Sequence, residues 1–279
     1  MSTITIPGKV FVIGEYSVLQ GGRGLFAALR PGYRFQLASG DGHPHPDSPL
    51  GRYAKEVGKD FSVSLDKSSM TWGFGSSTAE LIAGVMHDLE RLPETKRLWA
   101  WYVEQFPKTS GADLAVQMEA LRTKRPILEF DHGDVVSFPY ADVLSRVYVF
   151  QIHSEQKLKT HEALKAEIPK LDVSALDQMV AEIKSGFESG LVEKLSALNT
   201  YADNLHAHGL ETPFAYEVRL AFQKQDGVLS VKGCGAGMND VFLVATRDDF
   251  SETKNLPALL AVSKQFQLLP LGNLKELLW

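Results

Sequence analysis

Two glycines and two serines, Gly73-Phe74-Gly75-Ser76-Ser77, run through Thr78-Ala79-Glu80 into Leu81-Ile82-Ala83-Gly84-Val85-Met86, an apolar stretch that reads as a helix. Glycines let the backbone turn tightly and approach a ligand where a Cβ would obstruct. The helix behind them presents N–H groups with no intrahelical partner and the positive end of its dipole. Loop and helix together form an anion site, most often for phosphate. The serine hydroxyls cap such a helix or reach a phosphate-bound metal. The same residues also build an ordinary capped turn, so the run alone leaves both readings open.

Composition narrows the partners. The 279 residues suffice for one large domain or two ordinary ones, and 44% hydrophobic residues support a proper core. A net charge of −5, with no Lys/Arg run longer than two, gives no footprint for nucleic acid. Cys234 is the single cysteine, which excludes an intrachain disulfide and a cysteine-only zinc cage. It fits a reducing cytosol, so a cytoplasmic location is expected. Met1 to Lys9 lacks the basic and apolar regions of a secretory signal. No stretch approaches the ~20 apolar residues of a membrane helix. His43-Pro44-His45 and His206-Ala207-His208 have no carboxylate or cysteine at zinc-site spacing and read as surface histidines.

Periodicity places strands over Lys9–Gly14, Leu25–Leu29, Tyr33–Ala38 and Phe61–Leu65, with a turn at 21–24 and a loop from Asp41 to Pro49. Helices are expected over Thr78–Leu92, Glu94–Gln105 and Gly111–Arg122. Short strands follow at Ile127–Phe130 and Val135–Phe138, joined by the hairpin-like Asp131-His132-Gly133-Asp134. Arg146–Ile152 reads as a buried strand. Helical stretches are expected near 160–168, 174–207 and 212–224. Strands at Val228–Val231 and Val241–Ala245 flank a glycine-rich turn. Pro257–Gln265 reads as a helix with the proline in its first turn, and Phe266–Leu271 as a last strand. Strands and helices alternate without a regular βαβ rhythm, which argues an α+β fold in two lobes, 1–145 and 146–279.

Three separated segments occur in a telling order: Pro7-Gly8-Lys9-Val10-Phe11-Val12-Ile13-Gly14-Glu15-Tyr16-Ser17-Val18-Leu19, then Gly73–Ala79, then Lys232-Gly233-Cys234-Gly235-Ala236-Gly237-Met238-Asn239-Asp240. Together they resemble the signatures of the GHMP kinase superfamily, small-molecule kinases named for galactokinase, homoserine kinase, mevalonate kinase and phosphomevalonate kinase. The first is similar to P-G-K, a short apolar strand, then G-E-H or G-E-Y. The second is similar to G-L-G-S-S-A-A, and the third to K-x-S-G-A-G-x-G-D. Ser110-Gly111-Ala112-Asp113 resembles the S-G-x-D of the mevalonate and phosphomevalonate kinases, and Lys157-Leu158-Lys159-Thr160 their K-x-x-T.

The resemblance implies a two-lobed α+β fold, with a first lobe like the second domain of ribosomal protein S5 and a ferredoxin-like C-terminal lobe. It implies ATP and Mg2+ as cofactors, mevalonate or phosphomevalonate as small-molecule substrate, and admits a homodimer. Gly73, Gly75, Ser76, Ser77 and Thr78 would cradle the nucleotide phosphates, with Ser77 also on Mg2+. Asp113 would take the proton of the attacking alcohol or orient it, and Lys9 would favour the negative form of the same oxygen. Glu15, Lys157, Thr160, Gly235, Ala236 and Gly237 would serve the substrate. Glu104 lies near the place where mevalonate kinase carries a further Mg2+ ligand.

These roles suit phosphoryl transfer, in which positioning and charge neutralisation dominate. Each has a plainer rival. Asp113 also favours a helix dipole, Lys9 also reads as an edge-strand charge, Gly235 and Gly237 also build a hairpin, and Glu104 also suits a solvated helix face. Phe74, Thr78, Cys234, Met238 and Asn239 depart from the family pattern, and the last two put close backbone approach in question. Glu15-Tyr16 leans toward phosphomevalonate as acceptor and the short chain toward mevalonate. A diphosphomevalonate decarboxylase-like enzyme and a non-catalytic nucleotide-binding homologue are the alternatives.

Overall fold

The computed structural model describes residues 2–39, 44–66, 73–152 and 168–279. Its elements are β1 (Ser2–Ile13), β2 (Arg23–Ser39), α1 (Pro49–Val57), β3 (Phe61–Leu65), α2 (Ser76–Leu89), α3 (Thr95–Gln105), α4 (Ala112–Thr123), β4 (Ile127–Asp131), β5 (Asp134–Ser137) and β6 (Val147–Ile152). There follow α5 (Val173–Ser189), α6 (Ala197–Ala207), α7 (Pro213–Gln223), β7 (Val228–Cys234), β8 (Val241–Thr246), α8 (Glu252–Gln265), β9 (Leu268–Asn273) and α9 (Leu274–Leu277). Among the described residues no helix is long and apolar enough to cross a membrane.

The chain divides into two compact units. The first takes β1 up to Val10, Phe26–Ser137 and Trp279; the second takes Phe11–Leu25 and Phe138–Leu278. The chain therefore passes between units after residues 10, 25, 137 and 278, where the sequence suggests one boundary near 145. In the five-stranded sheet the order is β1-β2-β4-β5, with β3 pairing β2. The turn between β4 and β5 is the hairpin expected of its sequence, with His132 and Gly133 both left-handed at φ 48° and 86°.

The second unit carries an antiparallel sheet of order β7-β8-β6-β9. Its two inner strands, β6 and β8, are buried at every residue, which is why Val147-Tyr148-Val149-Phe150 and Val241-Phe242-Leu243-Val244 are continuous apolar runs. The outer β9 alternates buried ends with an exposed middle.

Several expectations change. Leu25–Leu29 and Tyr33–Ala38 are parts of the single strand β2, which continues through Pro31-Gly32. Helix α1 lies where a loop gave way to unassigned chain. Ser48 caps it by accepting from the Gly51 N–H, and Pro49 takes the first turn, where its missing N–H costs nothing. The helical stretch 174–207 is two helices, because Gly190 turns left-handed at φ 77° and ends α5. Helix α8 begins at Glu252, so Pro257 sits inside it rather than in its first turn. The expected helix near 160–168 falls almost wholly outside the described residues.

Candidate active site

The first unit gathers the Gly-Ser run, the start of the first motif and the S-G-x-D motif. Phe74 is fully buried, and its carbonyl accepts the Lys9 N–H at 2.9 Å, which pins the loop to β1. Gly75 is left-handed at φ 82° and forms the N-cap of α2. A Cβ there would lie 3.1 Å from Lys9 Cε and 3.2 Å from Gln117 Nε2, so glycine is needed for both backbone shape and close approach. The first helical bond of α2 runs from the Ala79 N–H to the Gly75 carbonyl, leaving the N–H groups of Ser76, Ser77 and Thr78 ahead of the ladder. Ser77 is exposed, Ser76 half-buried and Thr78 buried, as successive residues on one helical turn should be. The run is therefore a glycine-bounded helix N-terminus with an outward hydroxyl.

Asp113 occupies the first turn of α4. Its Oδ1 lies 2.8 Å from Lys9 Nζ; the lysine side chain is 8% exposed and the carboxylate 36%. A buried ammonium thus stands behind a carboxylate that opens to solvent. Trp99 of α3 braces the turn that aims Asp113. Its indole N–H donates to the Ser110 carbonyl at 2.9 Å, and a Cβ on Gly111 would meet that nitrogen at 2.6 Å. Tyr102, one turn away on α3, has a hydroxyl pushed well above the ordinary tyrosine range, first by burial and then by the Asp113 charge. That phenol stays neutral and protonated beside the carboxylate.

Gln117 lies one turn beyond Asp113 on the same helix and is fully buried. Its Nε2 donates to the Pro7 carbonyl at 2.8 Å and to the Gly75 carbonyl at 3.1 Å, and its Oε1 accepts the Thr78 hydroxyl at 2.6 Å. Sequence reading passed over Gln117, Trp99 and Tyr102. The available signal for Gln117 was a polar residue set in the apolar run Leu114-Ala115-Val116-Gln117-Met118.

Glu104 is exposed on α3, two residues from the buried Tyr102. Two residues turn a helix by about 200°, so Glu104 points away from the face that meets Asp113. Among the described residues no cluster of three or more His, Cys, Asp or Glu could hold a metal ion. Of the two candidate metal ligands, the structure puts only Ser77 at the helix N-terminus.

The remaining motif residues form a node in the second unit. Lys232, fully buried in β7, is ion-paired with Glu15 Oε1 and donates to its neighbour's carbonyl, Gly233 O, at 2.8 Å. Burial alone would push the ammonium down, but the Cys234 sulfur and the Glu15 carboxylate outweigh this and hold it above the ordinary lysine value. Cys234 Sγ lies 3.2 Å from the Phe11 carbonyl and donates to it. The Gly237 N–H donates to the Tyr16 hydroxyl at 2.9 Å, and the Gly237 carbonyl accepts the Thr212 N–H at 3.1 Å. Glu15 and Gly237, both candidate substrate contacts, thus have main partners inside the fold. A Cβ on Gly235 would fall 2.2 Å from Asp240 Oδ2, which fixes glycine there. Met238 takes the left-handed conformation, φ 56°, at a place where the resemblance leads one to expect a small residue. Ala236 and Gly237 lie in the short 3-10 turn at 236–238. Lys157 and Thr160 lie outside the described residues.

No family model matches the chain. A 145-residue stretch is 26% identical to a 4-diphosphocytidyl-2-C-methyl-D-erythritol kinase of Cytophaga hutchinsonii, covering 49% of this chain and only 51% of that relative. The fold matches far more of the chain. The phosphomevalonate kinase of Streptococcus pneumoniae in complex with phosphomevalonate and AMPPNP superposes with a TM-score of 0.71 at 15% identity, over 97% of this chain and 98% of that one. The mevalonate kinase of Methanococcus jannaschii gives a TM-score of 0.64 at 13% identity, over 96% of each chain.

Proposed function

From a chain that carries the GHMP kinase fold, we propose an ATP-dependent small-molecule kinase that passes the γ-phosphoryl group to mevalonate or phosphomevalonate. The observation that carries this is the Lys9–Asp113 pair at 2.8 Å, set against a glycine-bounded helix N-terminus. The two features supply the two needs of phosphoryl transfer: a place for phosphate charge, and a charged pair for the acceptor oxygen.

The N–H groups opening α2 receive the nucleotide phosphates, with Gly73, Gly75, Ser76, Ser77 and Thr78 forming the loop. Asp113 accepts the acceptor's proton, or orients an acceptor that has none to give. Lys9 stabilises the negative oxygen that attacks. Ser77, exposed at the start of α2, is the residue that would hold Mg2+ through its hydroxyl. When bound the ion neutralises phosphate charge. Glu104 stays outside the set, since it faces away. Glu15 and Gly237 act as supports within the second unit. Gly235, Ala236, Lys157 and Thr160 are its proposed acceptor contacts. The reading places the activity in the cytoplasm.

The acceptor rests on the S-G-A-D motif and on the likeness to the phosphomevalonate and mevalonate kinase structures. The test is ADP release from MgATP with mevalonate, phosphomevalonate, diphosphomevalonate, 4-diphosphocytidyl-2-C-methyl-D-erythritol, homoserine and galactose supplied separately, with products weighed by mass spectrometry. Turnover with mevalonate or phosphomevalonate is expected. Turnover only with another acceptor would keep the kinase and replace its substrate. Release of CO2 from diphosphomevalonate would make it a decarboxylase. Nucleotide binding with no turnover would make it a binding protein.

A further inference from the structure

We infer that Gln117 is a positioning residue, one that sets the register of the phosphate loop against the Lys9–Asp113 pair; the inference rests on the phosphoryl-transfer reading above. One planar amide reaches three elements. Its two N–H bonds end on Pro7 O, two residues before Lys9 in β1, and on Gly75 O, the N-cap of α2. Its oxygen accepts the Thr78 hydroxyl in the first turn of α2. The amide itself is carried by α4, four residues after Asp113, so it stands on the same helical face one turn along.

The burial makes this junction stiff. A buried amide must find partners or lose the free energy of its hydration. Here both donors and the acceptor are engaged, and hydrogen bonds weaken steeply with misalignment. A shift of the loop by an ångström would break two of the three together. An apolar residue of the same size would fill the space but leave the Pro7 and Gly75 carbonyls without this donor. Gln117 touches neither phosphate nor acceptor in this reading. It acts through Lys9, Asp113 and the loop, and phosphoryl transfer is sensitive to their spacing, since misplacement by about 1 Å costs on the order of a hundredfold in rate.

The experiment uses the full chain with Gln117→Met, Thr78→Val and Thr78→Ser. Amide hydrogen exchange at Lys9 and Ala79, whose N–H groups donate to the Phe74 and Gly75 carbonyls, reads the clamp directly. Binding of MgATP and of a non-hydrolysable analogue, with kcat and the acceptor KM, reads its effect. In Gln117→Met we expect exchange at Lys9 and Ala79 and the nucleotide Kd each to rise roughly tenfold, the size of one or two buried hydrogen bonds lost. The kcat should fall by about a hundredfold while the acceptor KM holds. Thr78→Val should shift exchange in the same direction by less, and Thr78→Ser should return it to slow. A folded Gln117→Met with wild-type exchange at these residues and wild-type kcat overturns the inference. If Gln117→Met does not fold, Thr78→Val decides, and wild-type exchange there overturns it equally. Failure of the wild type to bind MgATP would instead sink the kinase reading, and exchange would still decide the clamp.

Discussion

At the scale of single residues, Asp113 and Lys9 divide the chemistry of the proposed site by burial. The carboxylate is open enough to meet an acceptor, while the ammonium is held behind it. Asp113→Asn should lower turnover by roughly 10²- to 10⁴-fold, the usual contribution of a positioned base, with a small change in melting temperature. Steady-state rates beside a thermal melt check this, and an unchanged kcat would remove Asp113 as the base. Lys9→Met should lower kcat by about 10²- to 10³-fold and raise the nucleotide KM far less, since in the proposed site its charge serves the acceptor oxygen. A KM effect with kcat intact would make Lys9 a nucleotide contact instead. Gly75→Ala places a Cβ 3.1 Å from Lys9 Cε in a left-handed backbone, so it should cost about 1 kcal/mol or more in stability and weaken nucleotide binding. Urea titration and nucleotide titration measure the two effects separately.

At the scale of elements, the second unit depends on an ion pair between the chain just after β1 and strand β7. Removing one partner from a buried pair leaves an uncompensated charge, so Glu15→Gln should destabilise by about 3–5 kcal/mol. The double change Glu15→Leu with Lys232→Met should recover most of that loss, because two apolar residues leave no buried charge. Equal losses in single and double variants would show that the pair's geometry, not its charge balance, holds the element. The pH dependence follows from the raised Lys232 value. A group held above its ordinary value stabilises the fold fully while both folded and unfolded lysines are protonated. The contribution is lost as pH rises past the ordinary lysine value of about 10.4 and through the folded one. Melts from neutral to strongly alkaline pH should therefore show the wild type losing this stabilisation only at the alkaline end, and the double variant lacking that loss.

At the scale of the whole molecule, the chain does not run through one unit and then the other. Phe11–Leu25 belongs to the second unit, although segments of the first flank it on both sides. A fragment of 138–278 would leave Lys232 without Glu15 and the Gly237 N–H without the Tyr16 hydroxyl. Such a fragment is expected to stay unfolded by circular dichroism and proton NMR. A chemical-shift spread typical of a packed domain would show that the 11–25 segment is dispensable.

Much of this fold could be read from the residues because it is local. The β4–β5 hairpin follows from Asp131-His132-Gly133-Asp134, whose two middle residues must be left-handed. The inner strands β6 and β8 are legible because burial on both faces demands unbroken apolar runs. Less legible were Pro257 inside α8 and the continuity of β2 through Pro31-Gly32, since local propensity argued a boundary at each and tertiary packing overrode it. At the candidate site, the sequence by itself determined the residue types on which the proposal stands, a glycine and a serine at a helix start and a lysine and an aspartate that pair: Gly75, Ser77, Lys9 and Asp113. Only the tertiary structure decided what supports them. Gln117 joins segments more than a hundred residues apart, Glu15 meets Lys232 across 217 residues, and Glu104 turns outward by its phase on α3. A hydrogen bond or ion pair acts over a few ångströms, so its partners become visible only when the chain has folded back on itself.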